Sequence, residues 1–358
     1  MPKKQGFSKP FNLVCENNYP NLLLGPGIYT DFADAKASSP TDWIKSNIKD
    51  IEKNRNKQVF SFAKYSKEAA QDPTRELSDI QLITQSIKTT ELEIDFTEKE
   101  RKVSDEVTGL SNTSFDFENL KIVDDIKVPK PIEKTVNDRD FNAREGMIYL
   151  YQKIDDVYKI EQLLSVGLLG IKRNRLLVPT RWTITSVDDT IGKELINKIK
   201  INQTIDKYEL HFFEFYKNKF YVIMLPLTWG FEMIENAGGQ FTIDHELYDP
   251  RKDYAINVMG GYYAARLEIA KRLEERKRLA RVIVLRDMDP TYSSKGVWVI
   301  REAVKEAMAK EPLVFETLES LLNHINSQLL IRNSIKYWTD ASTILKENKM
   351  QKRLFEFI

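Results

Sequence analysis

The sequence predicts an α+β fold, with mixed strands and helices around one or two cores. Helical and strand-like hydrophobic periods interleave irregularly along the 358 residues, a strand–turn–strand pattern occupies residues 208–226, and no internal repeat or βαβ array recurs. The first 45 residues carry Pro20 and Gly25-Pro26-Gly27 between short apolar runs, which predicts turns and extended pieces. Trp43, Ile44, Ile48 and Ile51 share one face of a predicted helix over 43–55, with Asp42 as its cap. Alternation of Leu82, Thr84, Leu92, Ile94 and Phe96 predicts half-buried strands over 77–96. Residues 97–118 turn polar and acidic and read as a long surface loop. Helices are expected over 138–152 and 160–169, then a hairpin whose apolar runs flank Lys217-Asn218-Lys219. A helix over 262–277, a buried strand over 282–285, a helix over 298–308 and further helices over 315–348 complete the order.

At roughly 100–200 residues per domain, the length suits two or three folding units. Val128-Pro129-Lys130-Pro131 marks the expected boundary, giving an N-terminal α+β region over 1–127, an α+β domain over 128–345 and a flexible tail over 346–358. Lys plus Arg number 54 against 53 Asp plus Glu, a net charge of +1. That balance argues against a protein whose main work is wrapping a phosphate backbone. The single cysteine, Cys15, excludes an internal disulfide and a multi-cysteine zinc site. No run approaches the roughly 20 apolar residues of a membrane span, and the first residues lack a secretory h-region. A cytoplasmic protein without membrane contact is expected.

Four segments carry candidate chemistry. Residues 177–190 (LVPTRWTITSVDDT) read as a strand with Arg181, Thr183 and Thr185 on one face, followed by Asp188 and Asp189 before an apolar-periodic helix. One of these carboxylates suits a helix cap, and the other a divalent cation or general base; the two roles are compatible. Asp244-His245-Glu246 with Asp249 has metal-ligand chemistry but no zinc spacing, so His245, Glu246 and Asp249 are weak metal candidates or parts of a polar loop. Gly260 and Gly261 open a helix one turn before Arg266, an arrangement that suits a phosphate or, equally, close helix packing.

The fourth segment is 350–358 (MQKRLFEFI). In one tight helical turn Leu354, Phe357 and Ile358 form a small apolar plug, with Gln351 left to hydrogen-bond at a pocket edge. Lys346, Lys349, Lys352 and Arg353 favour encounter with an acidic partner.

Together these segments carry a resemblance. Residues 175–190, the preceding Ser165-Val166-Gly167-Leu168-Leu169-Gly170, residues 259–267 (MGGYYAARL), residues 296–302 (GVWVIRE) and the opening residues 19–26 (YPNLLLGP) with Pro40 and Trp43 are similar to the archaeal Nre proteins. These are DNA repair proteins that dock on the replication sliding clamp, PCNA. The resemblance spans nearly the whole chain. It implies a DNA repair role, association with the nucleoid, and a clamp-interacting peptide formed by Gln351, Leu354, Phe357 and Ile358. The usual peptide ends on two aromatics, so Ile358 implies weaker affinity. Many members begin with a four-cysteine zinc motif, which Cys15 alone does not supply; a zinc finger is therefore not expected, while a divalent metal remains open.

Two classes of function follow. One is a repair factor recruited to DNA through the clamp. The alternative is a nucleotide- or DNA-processing enzyme whose site is built around Arg181, Asp188, Asp189 and Arg266, with Gly260 and Gly261 at a phosphate.

Overall fold

The computed structural model describes residues 3–9, 11–16, 19–37, 39–105, 110–330 and 335–350. The fold is α+β, as expected, and divides into two units, Met1–Ile191 and Gly192–Ile358. The Pro-containing segment 128–131 lies within the first of them.

The first unit opens with β1 (Lys3–Ser8), β2 (Asn12–Cys15) and β3 (Asn21–Ile28). The short helices α1 (Phe32–Lys36), α2 (Pro40–Trp43) and α3 (Ile48–Arg55) follow. The helix expected over 43–55 is thus broken, and Asn47 rather than Asp42 caps its second half through the Lys49 N–H. Then come β4 (Val59–Ser66), α4 (Arg75–Gln85), β5 (Thr90–Asp105) and β6 (Leu110–Ile122). Two expectations are corrected here. Residues 77–85 are helix, because Thr74 caps the turn and Leu77, Ile80, Ile83 and Thr84 bury a helical stripe. The polar stretch 97–118 is mostly strand: β5 and β6 pair antiparallel across it, with register shifts between Asp95 and Glu100 that bend the ladder.

The six strands run in the order β1-β5-β6-β4-β3-β2, with β4 and β6 parallel and the other pairs antiparallel. Residues 9–11 alone separate β1 from β2, so the two act as halves of one strand. The first half pairs with β5 and the second with β3. Phe7 and Tyr29 close the gap, each N–H donating to the other's carbonyl at 2.7 and 2.9 Å. The result is a closed barrel of five strands, filled by Leu22, Leu24, Ile28, Leu92 and Ile94 among others. The outer edge of β2 is capped by side chains: the Asn12 N–H donates to Gln162 and the Val14 N–H to the Thr180 hydroxyl.

The helices α5 (Lys130–Asn137), α6 (Ala143–Ile154), α7 (Val157–Ser165) and α8 (Thr180–Ile199) complete the unit and lead into the next, and the caps come from α7 and α8. The helix expected over 138–152 begins only at Ala143, where an Asn142–Glu145 capping box starts it. The strand expected over 177–190 is also corrected. Its Thr, Ile and Val residues suggest β structure locally, yet Thr180, Ile184, Val187, Ile191 and Leu195 are buried at helical spacing, and helix wins.

The second unit contains the expected hairpin, β7 (Tyr208–Phe215) and β8 (Asn218–Leu225), joined through Tyr216 and Lys217 at positive φ. It continues with β9 (Gly230–Ala237), β10 (Gln240–Glu246), α9 (Gly260–Arg276), β11 (Arg281–Met288), α10 (Trp298–Ala309) and β12 (Leu313–Phe315). Three helices end it: α11 (Leu318–Asn326), α12 (Ile335–Ala341) and α13 (Thr343–Met350). The sheet order is β10-β9-β11-β8-β7-β12, with β11 central and buried throughout. Tyr221, Ile223, Ile283 and Leu285 on one sheet face pack with Leu321, Ile325, Trp338 and Ile344 of the terminal helices. Buried Glu232 of β9 holds α13 at its start, accepting from the Ser342 hydroxyl and, at 2.7 Å, from the Thr343 N–H.

Gly25 interrupts the β3–β4 ladder, and a Cβ there would lie 1.5 Å from the Ser61 carbonyl oxygen. Gly25→Ala is therefore expected to cost about 1–3 kcal/mol or more by overpacking. A urea titration that finds the variant as stable as the parent chain would contradict this closure.

Candidate functional site

In the first unit the central motif builds its surface from the start of α8. Pro179 precedes the helix, and its carbonyl accepts from the Trp182 and Thr183 N–H groups at 2.9 and 3.2 Å. Thr180 is buried, and its hydroxyl lies 3.2 Å from that of Ser165. Arg181 and Trp182 face outward. Glu16 binds both, accepting from the Trp182 indole N–H at 2.6 Å and from Arg181 at 3.3 Å. Tyr19, 46% exposed, packs on Trp182, 44% exposed, with ring centroids 5.2 Å apart. The Lys67 ammonium sits 5.4 Å from the Tyr19 ring centroid.

Asp188 and Asp189 lie inside α8 rather than before a helix, so the expected capping role of either is corrected. Asp188 is fully buried on the apolar stripe, while Asp189 is half-buried.

The second unit gathers charge beneath β10. Strand alternation turns Asp244 and Glu246 inward and leaves His245 exposed, so His245 and Glu246 are on opposite faces; Asp249 is exposed beyond the strand. Glu246 accepts from Arg266 at 2.7 Å and from the Trp229 indole at 3.2 Å. Asp244 accepts from Arg251 at 3.0 Å and from the Asn257 and Val258 N–H groups, both at 2.8 Å. Arg251 and Arg266 lie 5.2 and 5.7 Å from the centroid of buried Tyr262, whose hydroxyl is pushed well up by burial and by Glu246. Gly260 and Gly261 begin α9 as expected. A Cβ on Gly261 would lie 2.5 Å from Ile300 Cδ1, so this glycine serves close helix packing. Among the described residues no group of three or more His, Cys, Asp and Glu side chains is arranged to hold a metal.

The structure thus brings Arg181 into a surface cluster with Glu16, Tyr19 and Trp182, and Arg266 into a buried one with Glu246 and Tyr262. Gln351, Leu354, Phe357 and Ile358 lie outside the described residues. Among the described residues no helix is long and apolar enough to cross a membrane. Sequence reasoning missed two cavities of the first unit. One, of about 490 Å³, is lined by Tyr19, Asn21, Leu23, Lys64, Tyr65 and Ser66. The other, of about 870 Å³, includes Ser78, Gln81, Arg139, Lys172 and Arg173 in its wall. Their members are scattered from position 19 to 175, and only the exposed Lys172-Arg173 pair hints at them in the sequence.

Profiles of the archaeal Nre N-terminal and C-terminal regions match residues 2–240 and 246–357. The chain belongs to the archaeal Nre family. It is 31% identical over 326 residues to DNA repair protein NreA of Archaeoglobus fulgidus, covering 88% of this chain and 82% of that one. Identity to DNA repair protein NreB of the same organism is 30% over 368 residues, covering 99% and 91%. DNA repair protein NreA of Haloferax volcanii is 39% identical over 215 residues, covering 56% and 51%. No solved structure matches the chain.

Two outcomes test the buried charges of this Nre protein. Glu246→Ala removes the buried carboxylate that accepts from Arg266 and is expected to cost about 3–5 kcal/mol, read by denaturant unfolding. Glu268 of α9 is raised from 4.5 to about 7 by burial, offset by Arg301 and reinforced by Glu302. A raised carboxyl favours the protonated folded state, so its contribution is full below pH 4.5 and is lost as pH rises through about 7. Glu268→Gln is therefore expected to match the parent at low pH and to gain up to about 3 kcal/mol over it by pH 8. A difference that does not change with pH would overturn this.

Proposed function

We propose that this Nre protein is a DNA repair factor recruited to DNA through the replication sliding clamp, by a peptide formed from Gln351, Leu354, Phe357 and Ile358. The observation that carries the reading is the spacing of those residues immediately after α13, which ends at Met350 and is held to the second unit by Glu232. A short peptide gains little by itself. Following a fixed helix, it is presented within reach of a partner without ordering a long linker. The repair role is supported by the family and by the names of the NreA and NreB relatives.

The chemistry of the peptide suits a clamp pocket. Leu354 and Phe357, one helical turn apart, enter an apolar cavity, Ile358 fills the place of a second aromatic, and Gln351 hydrogen-bonds at the rim. Lys352 and Arg353 favour approach to an acidic surface. A ring-shaped clamp offers repeated pockets, so a weak peptide is still useful where DNA contacts raise the effective concentration.

Removing residues 350–358 is expected to abolish association with the clamp in a calorimetric titration while leaving the unfolding transition intact. Ile358→Phe is expected to tighten the interaction. Undiminished binding by the truncated chain would sink the recruitment reading.

A further inference from the structure

The barrel of the first unit has a strand order with a meaning of its own. With β1 and β2 counted as its first strand, β3, β4, β5 and β6 are the second to fifth. Around the barrel they read 1-2-3-5-4-1, with the third and fifth parallel and the first pairing both the second and the fourth. Helix α4 fills the connection from the third strand to the fourth. This is the topology of the OB barrels, which take oligonucleotides or oligosaccharides on the face of strands 2 and 3 and on the loop joining strands 1 and 2. Fold alone does not assign a ligand; the side chains on that face must do so.

On this face they do. Tyr19 lies in the loop between the first and second strands, and the 490 Å³ cavity extends from it over both strand 2 and strand 3, where Lys64 is exposed. Trp182 adds a second exposed ring beside Tyr19. Lys67 follows strand 3 directly. Its N–H donates to the Pro20 carbonyl and its own carbonyl accepts from the Leu177 N–H, which ties the loop to the segment carrying Lys172 and Arg173. Lys64, Arg139, Lys172 and Arg173 are exposed and make no ion pair among the described residues. The nearby carboxylates are mostly engaged: Glu16 with Trp182 and Arg181, Glu68 with Lys67, and Asp138 with the Asp140 and Phe141 N–H groups. Asp140 remains at the wall of the larger cavity, and Glu76 lies near Tyr65 of the smaller one.

We propose that the barrel binds single-stranded DNA, with Tyr19 and Trp182 stacking on bases and Lys64, Lys67, Lys172, Arg173 and Arg139 taking the phosphates. Flat rings beside cations of which only Lys67 has an acidic partner, the exposed Glu68 at 3.7 Å, suit a polyanion with unstacked bases. An oligosaccharide would use the rings but leave the cations idle, and a duplex would not offer its base faces to the rings. The inference rests on the repair reading only in choosing DNA over RNA.

The test uses the full chain and a fluorescent oligothymidine of about 16 nucleotides, the upper site size of one OB barrel. Anisotropy is expected to show binding that weakens with salt, the slope of log Kd on log salt being at most about 3.5 for five phosphate contacts. Lys64→Ala with Arg173→Ala is expected to lower that slope by about 1.4. Tyr19→Ala and Trp182→Ala are each expected to weaken binding by roughly 5- to 100-fold, with Trp182→Phe retaining most of it. Unfolding midpoints check that each variant is folded. Tyr19→Ala and the Lys64/Arg173 pair alter exposed side chains, so they decide the matter if Trp182→Ala unfolds. No binding at low salt, binding unchanged by those variants, or equal affinity for duplex would overturn the site, and equal affinity for an RNA of the same length would overturn the choice of DNA. The chain without residues 350–358 is expected to bind the oligonucleotide as the parent does, so loss of the clamp contact and loss of the barrel site are read separately; DNA binding that vanishes with the tail would overturn the barrel site.

Discussion

The paired hydrogen bonds between Phe7 and Tyr29, 2.7 and 2.9 Å long, turn what would be an open sheet into a barrel, and most of the first unit is arranged around that closure. A strand that serves two neighbours must change partners part-way. Here β1 ends at Ser8 and β2 begins at Asn12. The partner change leaves the N–H groups of Asn12 and Val14 pointing away from β3, where they would be unpaired at an edge. Gln162 of α7 and Thr180 of α8 accept them, so the helices that follow the barrel are fixed to it by the need to satisfy its own backbone. The position of Trp182 follows from the same requirement, because Thr180, two residues earlier, is one of those acceptors. A surface residue from position 182 is thereby placed beside Tyr19.

The second unit depends on a different constraint, the burial of charge in a core. Asp244 and Glu246 face inward from β10, Arg266 faces them from α9, and each carboxylate oxygen finds a donor. Such a network adds little net stability over an apolar core, but it tolerates few alternatives, since any slip of β10 by one residue would bring His245 inward in place of the carboxylates that accept from Arg251 and Arg266. Arg251, Tyr254 and Asn257, in the irregular segment between β10 and α9, are held by the same carboxylates or by Arg251 itself. The network therefore fixes a connection that has no regular structure of its own.

Elements whose period agreed with their tertiary role were legible in the sequence: the hairpin of β7 and β8, the helices α9 and α10, and the buried strand β11. The errors came where local preference and tertiary role diverged. Residues 177–190 are rich in Thr, Ile and Val, and only the buried partners along Ile184, Val187 and Ile191 make them helix. The polar stretch 97–118 reads as a loop because much of its pairing uses Ser, Thr and Asn, two of which, Asn112 and Ser114, are buried. In the candidate sites, the closely spaced pairs were visible but their settings were not. Arg266 is as prominent in the sequence as Arg181, yet one is in the core and the other on the surface. The cluster of Tyr19, Lys64, Lys67 and Trp182 was out of reach for a simpler reason. Its members are far apart in the chain, and only barrel closure and the α8 caps bring them together.

The same distinction changes what the net charge of +1 implies. A count of 54 bases against 53 acids treats all charges alike, whereas a polyanion responds to those that remain exposed without an acidic neighbour. Arg266 and Arg276 are held by Glu246 and Glu209, and contribute nothing to an approaching phosphate. Lys64, Arg139, Lys172 and Arg173 have no such partners among the described residues and all belong to the first unit. With only a few such contacts, the proposed binding to DNA would be weak and further reduced by salt, so at cellular ionic strength the barrel alone would not hold the protein on a strand. On the proposed reading, a second attachment through the clamp would supply the missing residence by effective concentration, not by new contacts. Near-neutrality and a nucleic-acid surface are then consistent, because a protein delivered by a partner needs to recognise a strand and does not need to find one unaided.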